Sequence, residues 1–203
     1  MRSFIAPYLT RCLLVMLGTL VFVGGSVFAQ AASSVSVSSS MEERIAQSKA
    51  TLKLQLSTAQ NQKIAQKCSA AQTIIKNVEA SYKISADKRQ QVYTDLSTQI
   101  TTDIRKLQSQ GEDIISLKAA QEQFDASISY YLADTSTYKT ALDDIVNMDC
   151  AKDPLGFESV LTNARQIKTK LAADAAQIKK SRDVLVQVLA QTAKTLNSTA
   201  RPN

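Results

Sequence analysis

Two thiols, Cys68 and Cys150, are the most reactive side chains in a chain that has no histidine and no tryptophan. A third, Cys12, stands near the N-terminus, ahead of an apolar run. Redox exchange usually uses two thiols in a C-x-x-C, and a zinc site needs histidines or further cysteines. Neither pattern is present, so Cys68 and Cys150 are read as a structural disulfide, provided that the chain reaches an oxidising compartment.

Other chemistry has less to work with. There is no G-x-S-x-G and no glycine-rich phosphate loop. The acid pairs Glu42-Glu43 and Asp143-Asp144 fall at positions that read as exposed helix surface, and the first also suits a helix N-terminus. The expectation is a protein that is not an enzyme, with no cofactor, no metal and no small-molecule substrate.

Compartment is read from the N-terminus. Arg2 and Arg11 make a basic start, Leu13 to Val23 is apolar, and Ala29-Gln30-Ala31 or Val27-Phe28-Ala29 supplies a cleavage pattern. Residues 1–31 are therefore read as a signal peptide, with an uncleaved anchor as the alternative, because Cys12 to Ala32 is 21 residues long. Residues 32–40, serine-rich, read as a flexible linker. The expected location is secreted, periplasmic or at the cell surface.

The remaining 41–203 has two glycines, Gly111 and Gly156, and two prolines, Pro154 and Pro202. So few breakers among abundant Ala, Gln, Lys and Leu predict long helices and almost no strand. Ser40 with Glu43 is a capping-box pattern and starts a helix near residue 41. An apolar seam then runs through Ile64, Cys68, Ala71, Ile75, Val78 and Tyr82. It resumes through Tyr93, Leu96, Ile100, Ile104 and Leu107, up to Gly111.

A second helix carries Leu117, Phe124, Tyr131, Tyr138 and Ile145 at seven-residue steps. Gln121, Ile128, Thr135 and Leu142 complete the heptads. Asp153-Pro154 opens a third, with an apolar stripe from Phe157 onward.

The thiols then choose the topology. A continuous helix over 41–110 puts Cys68 and Cys150 about 64 and 58 Å from the Gly111 reversal, within a turn of each other. A reversal at Ser85 would leave them on the order of 45 Å apart, too far for a bridge. The prediction is an elongated antiparallel three-helix coiled-coil bundle with helices at about 41–110, 113–148 and 154–199. A four-helix bundle broken near Ser85 is the alternative.

Charge is layered: 41–110 carries +5, 111–153 carries −6 and 154–203 carries +5. The expectation is that the two basic helices flank the acidic one and satisfy it. That argues against a nucleic-acid partner, and membrane contact is expected only if the N-terminal segment is retained.

In the continuous arrangement about 40 Å of helix projects past the bridge. It carries Ile45, Leu52, Leu56 and Ala59 as candidate partner-binding residues. The functional expectation is an exported structural or adaptor coiled-coil protein of the envelope or extracellular space, engaging protein partners or itself. A periplasmic holdase-type chaperone is the alternative. A surface protein contacting nucleic acid or anionic lipid is the second.

Overall fold

The computed structural model describes residues 39–199. The signal-peptide reading, and most of the linker reading, lie outside the described residues. Four helices follow in order: α1 Met41–Leu52, α2 Thr58–Ser109, α3 Ile115–Asn147 and α4 Pro154–Thr199. They form a four-helix bundle in which α3 packs against α4 and α2, α2 also meets α4, and α1 meets α4. This corrects the elongated three-helix coiled coil.

The long first helix is broken, at residues 53–57 rather than near Ser85. Lys53 closes α1 in the left-handed region (φ 48°), its N–H donating to the Lys49 carbonyl. Ser57 then opens α2 with its own capping box: its hydroxyl accepts from Gln60 N–H, and Gln60 Oε1 accepts from Ser57 N–H. One box satisfies two of the free N–H groups at a helix start and makes a new start favourable. Ser85, by contrast, lies inside α2 and donates back to the Tyr82 carbonyl, while Ala86 beside it is buried.

The other helix ends follow local chemistry. Gly111 takes φ +81°, with Glu112 N–H bonding to Leu107 O and Gly111 N–H to Gln108 O, the two bonds of a Schellman stop. Asp153 caps α4 by accepting from Gly156 N–H at 2.9 Å, and Pro154 fills the first helical position.

α3 is the central element. Leu117, Phe124, Ile128, Tyr131, Tyr138, Leu142 and Ile145 are all buried, together with Phe157, Val160, Leu171, Ile178 and Leu185 of α4. Tyr82 meets Tyr138 edge-on at 4.7 Å, and Tyr93 meets Tyr131 edge-on at 5.7 Å, which registers α2 against α3. Gln72 of α2 reinforces that register by donating to two carbonyls at the end of α3, Ile145 O and Met148 O, both at 2.8 Å. Two positions on the expected apolar stripes lie outside the core: Val78 is 45% exposed, and Ala175 is exposed.

Candidate interaction surface

Three regions bear on function: the bridge, the seat of α1 and the outer face of α2. Cys68 and Cys150 are joined, their Cα atoms 5.9 Å apart, and both are buried. The bond ties α2 to the turn between α3 and α4. By closing an 82-residue separation it stabilises the fold by about 4–5 kcal/mol on the chain-entropy account.

The bridge and the continuous helix do not require each other. The chain ahead of Cys68 turns back at 53–57, and α1 lies over the junction of α3 and α4. Arg44 donates to both oxygens of Asp144, Nε at 2.8 Å and Nη2 at 2.5 Å, and also to the Ser39 carbonyl. Lys49 pairs with Asp153 at 3.1 Å. The hydrogen bond from Asp144 raises the Arg44 pKa above its ordinary value, against a smaller opposing effect of burial. Asp144, read from sequence as exposed surface, is in fact 3% exposed and fully engaged by Arg44.

Gly156 lets α1 come this close. A Cβ there would stand 2.9 Å from Ile45 Cγ2 and would overlap the Asp153 carboxylate. Ser48 and Ser159 are buried in the same region. The arm that was to project about 40 Å is therefore folded onto its own chain. Ile45 is buried, Leu52 and Leu56 are half-buried, and only Ala59 is exposed. That removes the basis of the exported coiled-coil adaptor reading, which needed a free arm.

The outer face of α2 is the reverse case. Ile74, Ile84 and Val92 are 61–65% exposed, and Val78 extends the same side of the helix. Ile74, Val78 and Val92 lie within about 40° of one another around the helix, over about 27 Å of its length. Lys88 lies between that stripe and Ile84, while Lys76 and Lys83 are on the opposite side of the helix; none of the three makes an ion pair among the described residues.

This corrects the expectation that α2 neutralises α3. Lys139 pairs with Asp87 at 2.6 Å between the two helices, and there the acid is on α2 and the base on α3. The basic run of α4 is better satisfied. Lys170 pairs with Asp134, and Lys179 and Arg182 both pair with Asp183.

The hollow lined by Asp87, Gln90, Gln91, Thr94 and Asp95 is built from one helix, so no second element closes it. Among the described residues no group of three or more His, Cys, Asp or Glu is placed to hold a metal. Also among the described residues, no helix is long and apolar enough to cross a membrane. Sequence reasoning missed the α2 surface because its apolar residues lie just off a seam that reads as core. The signal available was their azimuth: Ile74 and Val92 are 18 residues apart, five whole turns, and sit about 90° from the Cys68–Tyr82–Ile104 line.

No protein-family model, no curated protein and no solved structure matches this chain.

Proposed function

We propose that this protein is a non-catalytic binding domain of the holdase type, which holds non-native polypeptide on the outer face of α2 in an exported, oxidising compartment. The observation that carries the reading is the solvent exposure of Ile74, Ile84 and Val92 beside Lys88, which makes no ion pair among the described residues. Exposed branched side chains give non-directional attraction for any unfolded apolar segment. Lysine ammonium groups on long stems attract acidic chain and keep the surface soluble between clients. The buried disulfide favours the compartment assignment, since such bridges persist where thiols are oxidised. A scaffold tied at one end by a covalent bond supports such a face without itself unfolding.

The test is light scattering from an unfolded outer-membrane-type client diluted from denaturant, with and without the oxidised protein. The proposal expects slower aggregation at stoichiometric protein. It expects that protection to be lost in an Ile74→Ser/Ile84→Ser/Val92→Ser variant that keeps its helicity. Aggregation at the same rate with and without the protein would reject it. Protection that survived the serine variant but vanished on adding salt would instead point to a purely electrostatic partner, nucleic acid or anionic lipid.

A further inference from the structure

The α3–α4 seam contains an acid pair that the binding reading leaves unused. Asp134 of α3 and Asp174 of α4 face each other across the seam: Lys170, one turn before Asp174, reaches Asp134, and Asp134 acts directly on Asp174. Asp174 Oδ2 is shut off from solvent and has no hydrogen-bond donor, whereas Asp134 has the Lys170 ammonium 3.0 Å from each of its oxygens. Ionised carboxylates only accept, so two of them in contact repel each other and leave Asp174 Oδ2 without a donor. One proton between them supplies the missing donor and removes the repulsion.

Lys170, one turn before Asp174 on α4, places its ammonium 3.0 Å from Asp134 Oδ1. One ammonium offsets one of the two negative charges. The groups that act on Asp174 are Asp134 from α3 and Lys170 from its own helix.

We propose that Asp134 and Asp174 share a single proton across the α3–α4 seam, and that losing it loosens the seam, so that the bundle is tighter in mildly acidic than in mildly alkaline solution. The energetics agree in sign. Burial first, then the hydrogen bond and charge of Asp134, push Asp174 up to about 7, with Lys170 acting against them. The folded chain keeps a proton that an unfolded aspartate releases at about 4. Folding takes up that proton between the two values, so stability falls as pH rises through the higher one.

Other groups act elsewhere on the pH scale. Asp183, held low by Lys179 and Arg182, contributes stability that is lost as pH falls below the ordinary aspartate range. Tyr93, Tyr131 and Tyr138, raised by burial, cost stability only as pH rises above about 10.

The test is a carboxyl-carbon NMR titration of the full oxidised protein between pH 5 and 9, with denaturant unfolding at pH 6 and 8. The expected result is one aspartate resonance titrating near 7 that disappears in Asp174→Asn. The unfolding equilibrium constant should rise by up to about tenfold from pH 6 to 8, less whatever solvent screening removes at this partly exposed site. In Asp174→Asn, whose amide donates to Asp134 at every pH, that rise should be absent. The proposal is overturned if every aspartate titrates below 5, or if wild type and Asp174→Asn show the same pH dependence. Should the variant fail to fold, the titration of the native protein decides by itself.

Discussion

α1 and the outer face of α2 present the same ingredients, branched apolar residues beside lysine or arginine, and meet opposite fates. On α1, Ile45 is buried and both cations find acids, Arg44 at Asp144 and Lys49 at Asp153. On α2, Ile74 and Val92 stay exposed, and Lys88 beside them makes no ion pair among the described residues. What separates them is the receiving surface. The junction of α3 and α4 offers two aspartates and a glycine that admits a close neighbour, and among the described residues no acid pairs with Lys88 on the outside of α2. A helix surface joins the bundle where its charges are answered. Where they are not answered, it remains available to another molecule.

The comparison can be broken most strongly at the end of the bundle that both regions depend on. Cys68→Ser/Cys150→Ser should lower unfolding stability by about 4–5 kcal/mol, read by denaturant titration against the oxidised protein. Next comes the seat of α1. Arg44→Ala leaves Asp144 buried and without its counter-ion, at a cost of about 3 kcal/mol, whereas Lys49→Ala, at a half-exposed pair, should cost about 0.5 kcal/mol. Equal losses in those two variants would mean that α1 is not seated as described. The smallest stability effect belongs to α2: Ile74→Ser with Val92→Ser should shift stability by less than about 0.5 kcal/mol while weakening client protection. A large loss of stability there would show that the face is covered rather than free.

Much of the fold was legible where local chemistry and periodicity agree. The heptad positions Leu117, Phe124, Tyr131, Tyr138 and Ile145 all lie in the core, and Asp153-Pro154 opens α4. The break at 53–57 was misread because it contains neither glycine nor proline, and Lys53 takes the left-handed position that glycine usually fills. A signal was present in Ser57-Thr58-Ala59-Gln60, a second capping box of the same type as Ser40 with Glu43. The distance argument from the thiols could not reveal it, because Cys68 lies after the break and both topologies bring it to Cys150.

The seat of α1 was not legible at all. It depends on Gly156 and Asp144, more than a hundred positions away in the chain, and Asp144 looked like one half of an ordinary surface acid pair. The uneven satisfaction of charge was hidden for a related reason. Segment totals showed opposite signs on neighbouring helices, but ion pairs depend on azimuth, and the pair between Asp87 and Lys139 runs against those totals.

The central claim is that α1 is clipped back onto α4 and so leaves the outer face of α2 as the free surface. The most direct measurement is a nuclear Overhauser spectrum of the oxidised protein. A cross-peak between the Ile45 Cγ2 methyl and the Gly156 α-protons is expected, with non-helical shifts at residues 53–57. No such cross-peak, together with an unbroken run of helical amide contacts from Leu52 to Thr58, would contradict the account.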